Sequence, residues 1–300
     1  MRGELQTIKL ASLFKYFTKK IDLRRSISDY AFILNINTKR LMMKAIFFDI
    51  DGTLVSFKTH QIPESTIYAI RLAKENGHKI FIATGRPKAI INNLGKIEEY
   101  VDGYVTMNGG YCFTTDQVLH KSIIPKNDVE NMAKYCIDNK KAVIFVSEHT
   151  ISVCQPNKLV KDIFYDHLNV PVIPEKTFEE AISGDVFQMT PFITKEEENS
   201  ILNLIPNCQP ERWNPEFVDI VSKGNTKETG VEVIRKHFNL KLEDTVAIGD
   251  GGNDISMLAH AGIGIAMGNA VDHVKSYADY VTSTVDEDGI WNALKHFNII

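Results

Sequence analysis

The chain has 300 residues, with 34 Lys or Arg, 38 Asp or Glu and 44% hydrophobic residues. This composition excludes collagen-like, disordered and simple coiled-coil proteins, and the length suits two domains of roughly 100–200 residues each. The sequence has no run of about 18 apolar residues, so no transmembrane helix is expected.

Residues 1–41 differ in charge from the rest of the chain. They contain nine Lys or Arg and three Asp or Glu, so the net charge of this segment is +6. The rest of the chain has a net charge of −10, which gives −4 for the whole. The acidic remainder argues against nucleic acid as a partner, because phosphate backbones bind basic surfaces. We predict that residues 1–41 are a poorly ordered N-terminal extension. A helix lying on a membrane and an over-long gene model remain alternatives, although no stable membrane association is expected.

The cysteines indicate a reducing compartment. None of the four, at positions 112, 136, 154 and 208, forms a CxxC pair or another spacing typical of a zinc site. We therefore expect reduced, mostly buried thiols and a cytoplasmic location.

From residue 44 onward, short apolar runs alternate with amphipathic stretches. Strands are predicted over 45–48, 79–83 and 104–107, a helix over 63–76, and a second helix opening at Pro87. Alternation of buried strands with helices predicts a parallel sheet with helices on both faces.

The rhythm changes near Pro125 and returns after residue 222. The middle segment has predicted helices over 128–139, 157–168 and 195–205, and strands over 142–147, 150–154, 186–193 and 212–221. Because helices do not separate these strands one by one, residues 125–222 are predicted to form an inserted α+β domain. Residues 42–124 and 223–300 then form one α/β domain, whose second part has helices over 226–238, 255–261 and 290–297 and strands over 245–248, 264–267 and 279–282.

Three of the predicted parallel strands end in polar clusters. The clusters are Asp49 with Asp51, then Thr84, then Asp250 with Asn253 and Asp254. Ligands of parallel α/β sheets bind at the carboxyl ends of the strands, so neighbouring strands would bring these side chains together. Carboxylates that converge in this way repel one another unless a cation is present, and all-oxygen ligands suit Mg²⁺.

These residue types fit phosphoryl transfer. Asp49 is a candidate nucleophile that would form an aspartyl phosphate. Asp51, two residues on and on the same side of an extended chain, is a candidate acid and base. The Thr84 hydroxyl, the Gly85 N–H and the Lys227 charge could hold the phosphoryl oxygens.

In order and spacing, the motifs resemble those of the haloacid dehalogenase superfamily, and most closely its Cof-type phosphatases. The resemblance covers residues 43–300 and rests on four ordered motifs: Asp49-Ile50-Asp51-Gly52-Thr53-Leu54, Thr84, Lys227, and Gly249-Asp250-Gly251-Gly252-Asn253-Asp254. It implies a Rossmann-like core with a cap domain of the C2 type inserted after the third core strand. The cap would close over the site and set specificity.

The resemblance also implies roles for individual residues. Asp49 would be the nucleophile and a Mg²⁺ ligand, Asp51 the acid and base and a ligand through its backbone carbonyl, and Asp250 a further ligand. The phosphate would be held by the Ile50 N–H, Thr84, Gly85, Lys227 and Asn253.

Some roles stay open in the sequence. Asp254 could belong to the metal site or cap the following helix, and Arg86 could touch substrate or pair with a surface acid. Four residues on the late predicted strand could face substrate, but we expect them to pack in the domain core: Trp213, Asn214, Phe217 and Asp219.

The sequence therefore predicts a Mg²⁺-dependent phosphomonoesterase for a small sugar phosphate, hexose phosphates first, acting through phospho-Asp49. A sugar phosphomutase, a phosphatase for pyridoxal phosphate or flavin mononucleotide, and a non-catalytic metabolite sensor are alternatives. A small phosphorylated metabolite is the expected partner, and a monomer or weak homodimer the expected state.

Overall fold

The computed structural model describes residues 43–300. The predicted N-terminal extension, residues 1–41, lies outside the described residues. The strands are β1 (Ala45–Phe48), β2 (Lys79–Ala83), β3 (Val101–Thr106), β4 (Tyr111–Thr114), β5 (Val118–Lys121), β6 (Val143–Val146), β7 (Ile151–Cys154), β8 (Gln188–Pro191), β9 (Cys208–Glu211), β10 (Asp219–Ser222), β11 (Thr245–Gly249), β12 (Ile263–Ala266) and β13 (Tyr280–Val281). The α-helices are α1 (Glu64–Glu75), α2 (Lys126–Asp138), α3 (Lys158–Val160), α4 (Phe178–Ala181), α5 (Lys195–Leu202), α6 (Lys227–His237), α7 (Ile255–His260), α8 (Asp272–Lys275) and α9 (Gly289–His296).

The larger sheet has eight strands in the order β13-β12-β11-β1-β2-β3-β4-β5. The strands from β13 to β3 are parallel, and β4 and β5 add an antiparallel hairpin at one edge. Strand β1 lies near the middle, and all four of its residues are buried and apolar. A strand with both faces covered by helices needs apolar residues at every position, which explains this continuous run.

Alternate residues of β1 enter two separate cores. Ile46 and Phe48 pack with α1 and α9 on one face, whereas Ala45 and Phe47 pack with α6 and α7 on the other. This alternation follows from the two-residue period of a strand. The α/β layers predicted from the sequence are confirmed.

The second sheet is antiparallel, with the order β7-β6-β8-β10-β9. One of its faces packs against α2, α4 and α5. The other face packs with Tyr111 and Phe113 of β4, so it covers part of the larger sheet. The inserted cap predicted by the family resemblance is confirmed as a part of the fold, while its boundaries at 125 and 222 stay a prediction.

Two local predictions are wrong. The helix expected to open at Pro87 is a single 3₁₀ turn, Lys88–Ile90, because Asn92, Asn93 and Gly95 follow it and are poor helix formers. The hairpin of β4 and β5 was not predicted, since its short strands lack a long apolar run.

The strand predicted over 212–221 is also wrong. Two antiparallel strands, β9 and β10, are joined by a loop over 212–218. The loop wraps around Arg212, whose guanidinium donates to the backbone carbonyls of Asn214, Pro215 and Phe217. These carbonyls cannot then pair regularly with a neighbouring strand. The helix predicted over 157–168 begins as α3 and continues as a π-helix over Lys161–His167.

Within residues 43–300, every helix is too short or too polar to span a membrane.

Candidate active site

The carboxyl ends of three adjacent strands form the floor of a cavity. Strand β1 pairs with β11 on one side and with β2 on the other. Asp49, Thr84 and Asp250 follow these strands directly, and all three side chains line the same cavity. The convergence predicted from the strand ends therefore occurs in the fold.

The cavity has a volume of about 280 Å³. Its lining includes most of the predicted site residues together with residues of the second sheet's domain: Asp49, Asp51, Phe57, Thr84, Gly85, Arg86, His167, Trp213, Asn214, Asp250, Gly251, Gly252, Asn253, Asn269 and Val271. Such a space accommodates a small phosphorylated metabolite and not a folded protein.

Lys227 lies beneath the cavity and joins two carboxylates. It is the first residue of α6, which Thr226 caps by accepting a hydrogen bond from the Thr229 N–H. Its Nζ is 2.6 Å from Asp49 Oδ1 and 2.5 Å from Asp254 Oδ1, and its side chain is fully buried. The lysine is therefore a fixed positive charge next to the predicted nucleophile.

The cluster around Lys227 contains three carboxylates and a single lysine. One carboxylate oxygen from each of Asp49, Asp250 and Asp254 lies within 4.8 Å of the other two. Burial and the Asp254 carboxylate raise the pKa of Asp49 to about 7, although Lys227 acts in the opposite direction. Burial and the neighbouring carboxylates of Asp49 and Asp254 also raise the pKa of Asp250 well above its usual value. Burial lowers the pKa of Lys227, but the two carboxylates more than offset this and raise it.

Hydrogen bonds to both oxygens hold the Asp250 carboxylate. Thr53 Oγ1 donates to Oδ1 at 2.9 Å, and Asn269 Nδ2 donates to Oδ2 at 3.1 Å and to the Gly52 carbonyl at 2.9 Å. Gly52 has φ +83°, and a Cβ at this position would lie 2.3 Å from Asp250 Oδ2. A glycine is therefore required here for two reasons, backbone conformation and space.

Asp51 is held by Arg86. The guanidinium donates to both carboxylate oxygens of Asp51, each at 2.7 Å, and to the carbonyls of Ile90 and Leu168. Leu168 belongs to the domain of the second sheet, so Arg86 spans the two parts of the molecule. One alternative for Arg86 was pairing with a surface acid. Arg86 does pair with an acid, but that acid lies in the cavity and not on the surface.

Asp254 does not cap α7. Its Oδ2 accepts hydrogen bonds from the N–H groups of Asp250 and Gly251, and its side chain makes no capping bond to the helix. The capping alternative is therefore wrong. Asp254 shapes the loop that carries Asp250.

The remaining predicted phosphate contacts lie around the cavity. Thr84, Gly85 and Asn253 line it. The Ile50 side chain is buried in the core, so its backbone N–H is the group this residue could offer. A Cβ at Gly85 would lie 2.9 Å from Asp219 Oδ2, which leaves room for glycine alone.

Two residues of the loop after β9 form part of the cavity wall. Trp213 and Asn214 line the cavity. Trp213 also packs against the core, as expected, with its ring centroid 5.0 Å from that of Phe217, whereas the expected core position is wrong for Asn214. Phe217 and Asp219 are buried as expected. His167 of the same domain stacks on Phe57 with ring centroids 5.1 Å apart, which narrows the cleft between the two sheets.

The sequence argument missed Asn108 and Asn269. Asn108 follows β3 and Asn269 follows β12, each within three residues of the strand's end. Ligands of parallel sheets bind at the carboxyl ends of the strands, and β3 and β12 also end at this edge of the sheet. The polar residues that follow these two strands are therefore the signal that could have found both.

Comparison with known proteins shows the family of the chain. The family model of haloacid dehalogenase-like hydrolases matches residues 46–294. A putative phosphatase of Bacillus subtilis, YkrA, is 32% identical over 263 residues, which cover 86% of this chain and 98% of that protein. The 5-amino-6-(5-phospho-D-ribitylamino)uracil phosphatase YitU of the same organism is 27% identical, covering 84% of this chain and 96% of that protein.

A solved structure described as the HAD subclass IIB sugar phosphatase BT4131 is similar over nearly all of the described residues. It is 59% identical with a TM-score of 0.83, covering 86% of this chain and 100% of that chain. BT1666 from Bacteroides thetaiotaomicron, described among the phosphatases of this superfamily, is 36% identical with a TM-score of 0.77, covering 86% and 96% of the two chains. The chain therefore belongs to the haloacid dehalogenase-like hydrolases and is a phosphoric monoester hydrolase of that family.

Proposed function

We propose that this protein hydrolyses small sugar phosphates, hexose phosphates first, with Mg²⁺ and through a covalent phospho-Asp49 intermediate. The observation that carries the proposal is the cluster of Asp49, Asp250 and Asp254 with Lys227 beneath the cavity. It combines a nucleophile, a fixed cation and oxygen ligands at one edge of the sheet.

The charge balance of the cluster fits a divalent cation. Three carboxylates face a single lysine, so the ionised cluster carries an excess of two negative charges in a buried place. Uncompensated buried charge is costly, and Mg²⁺ is bound by carboxylates together with substrate oxygens. Asp49, Asp250 and the Asp51 backbone carbonyl would hold the ion, with Asp254 fixing the loop beside it. When bound, Mg²⁺ neutralises charge on the phosphoryl oxygens.

In the first step, an Asp49 carboxylate oxygen forms a bond to phosphorus and the bond from phosphorus to the sugar oxygen breaks. Asp51 gives its proton to the departing oxygen, which leaves as the alcohol. Lys227 favours the ionised form of Asp49 and, with Thr84 and the Gly85 N–H, balances charge on the phosphoryl group.

In the second step, water attacks the phosphorus of phospho-Asp49 and Asp51 takes a proton from it. The bond from phosphorus to Asp49 breaks, inorganic phosphate leaves and both aspartates return to their starting forms. In the structure Arg86 donates to both oxygens of the Asp51 carboxylate, which is the ionised form that takes the proton from water. For the first step, the guanidinium must give up one of these oxygens so that Asp51 carries the proton that it passes to the alcohol.

The walls of the cavity support a small polar leaving group. Trp213 offers an aromatic face, and Asn214 and His167 offer hydrogen-bonding groups. The similarity to a sugar phosphatase favours sugar phosphates over the flavin and pyridoxal phosphates that the sequence left open.

The test is phosphate release from a panel of hexose phosphates, pyridoxal phosphate and flavin mononucleotide, with Mg²⁺ and with EDTA. We expect Mg²⁺-dependent release that is greatest on hexose phosphates. Phosphorus NMR of the same mixtures distinguishes free phosphate from an isomeric sugar phosphate, and the latter product would indicate a mutase.

Asp49→Asn removes the nucleophile while keeping the size of the side chain. We expect loss of turnover and of phosphate bound covalently to the protein after acid quenching. Asp116→Asn, in the exposed turn between β4 and β5, is the matched control and should retain wild-type activity. Full activity of Asp49→Asn would overturn the mechanism.

A further inference from the structure

Asp219 is a buried carboxylate on the second sheet that four side chains hold by hydrogen bonds. Gln188 Nε2 and Thr190 Oγ1 donate to its Oδ1 at 3.0 and 2.7 Å. Trp213 Nε1 and Asn108 Nδ2 donate to its Oδ2 at 3.2 and 3.3 Å. The first three donors belong to the second sheet and its loop, whereas Asn108 follows β3 of the larger sheet.

Asn108 connects Asp219 to the cavity. Its side chain is fully buried, and its backbone has φ 50°, a left-handed conformation that asparagine tolerates. Its Oδ1 accepts a hydrogen bond from Asn253 Nδ2 at 2.9 Å. Asn253 lines the cavity, so a chain of three side chains runs from Asp219 through Asn108 to Asn253.

The carboxylate fixes the direction of both amides. An ionised carboxylate accepts hydrogen bonds and cannot donate them. Asn108 must therefore turn its nitrogen toward Asp219 and its oxygen toward Asn253. Asn253 must in turn present its nitrogen to Asn108, and one of its two amide hydrogens is left for a group in the cavity.

We propose that Asp219 is a positioning residue of the second sheet that orients the Asn253 amide for phosphate through Asn108. This inference rests on the proposed function, in which Asn253 holds the phosphate. All four donors to Asp219 are protein groups, so its contribution does not require contact with the leaving group. The second sheet thereby serves phosphate binding as well as covering the cavity.

Asn108→Gly tests the connection directly. Glycine can keep the left-handed backbone conformation, and it removes the side chain that joins Asp219 to Asn253. We expect kcat/KM to fall about tenfold, the worth of about one hydrogen bond, and by the same factor for a hexose phosphate and for phenyl phosphate. Asn239→Gly is the matched control, because Asn239 has the same φ of 50° but is exposed and lies outside the cavity lining.

Asp219→Asn tests the direction of the amides. The substitution keeps the shape of the side chain, but the new amide can donate or accept a hydrogen bond. The side-chain amides of Asn108 and Asn253 are then free to exchange the positions of their nitrogen and oxygen. In the otherwise wild-type protein, we expect Asp219→Asn to lower kcat/KM by a similar factor. In a protein that already carries Asn253→Ala or Asn108→Gly, we expect Asp219→Asn to lower kcat/KM less than twofold further. Additive effects in these double variants would overturn the proposal.

Binding of inorganic phosphate in the presence of Mg²⁺, measured by calorimetry, tests the same inference without turnover. The affinity should fall about tenfold in Asn108→Gly and Asp219→Asn and stay unchanged in Asn239→Gly. Equal affinity in all variants, or a loss of kcat/KM that depends on the leaving group, would overturn the role of Asp219. A wild-type chain that releases no phosphate from any ester would instead overturn the proposed function, and the binding series would still decide the positioning role.

Discussion

Replacing Lys227 with methionine should affect both stability and activity. The lysine side chain is fully buried and contacts Asp49 and Asp254, so methionine keeps the volume and removes the charge. Breaking a buried ion pair from one side costs about 3–5 kcal/mol. A change of 1 kcal/mol moves Tm by about 2–4 °C in chains of about 150–250 residues, so Tm should fall by about 10 °C.

Activity should fall because the nucleophile gains a proton. The pKa of Asp49 is already about 7, and Lys227 is a group that lowers it. Loss of an opposite charge at this distance moves a pKa by about 1–3 units, so the ionised fraction of Asp49 at pH 7 should fall about 5- to 500-fold. The acid limb of the pH–rate profile should move to higher pH.

The assays are thermal unfolding in EDTA and phosphate release from pH 5 to 9. Lys223→Met is the matched control, because Lys223 is exposed and lies four residues before Lys227. The argument would be refuted if Lys227→Met had wild-type Tm and turnover, or lost turnover without any shift of the acid limb.

Two further predictions follow from the same geometry. A Cβ at Gly252 would lie 2.8 Å from the backbone carbonyl oxygen of Arg212, so Gly252→Ala should push the second sheet from the cavity. Overpacking costs about 1–3 kcal/mol, and we therefore expect kcat/KM to fall about 5- to 100-fold. Gly184→Ala, where a Cβ meets nothing within 4 Å, should behave as wild type, and equal kinetics of the two variants would contradict this. Because the pKa values of Asp49 and Asp250 are raised, their protons stabilise the metal-free fold at low pH. The contribution of Asp49 is lost as pH rises through about 7, which is the pKa of that group. Mg²⁺ competes with these protons, so its effect on Tm should grow from pH 6 to pH 8, and an effect independent of pH would count against a metal site here.

The sequence by itself determined the fold class and indicated the strand ends at which the proposed site lies. Strands of a parallel sheet with both faces covered are apolar along nearly their whole length, so the runs at 45–48 and 245–248 predicted β1 and β11 to within one residue. The helix predicted over 63–76 is α1, Glu64–Glu75, since Pro63 and Gly77 mark its ends. These signals are local, and each can be read from a few neighbouring residues.

The tertiary structure alone decided which side chains form direct pairs. Arg86 pairs with Asp51 across 35 residues of sequence, Asn108 with Asp219 across 111, and Lys227 with Asp49 across 178. Arginine, asparagine and lysine are ordinary surface residues as far as periodicity can tell, and nothing near them in the chain indicates a partner. Their roles depend on how two sheets are brought together in space, because the energy of a hydrogen bond or ion pair depends on distance and burial and not on separation along the chain.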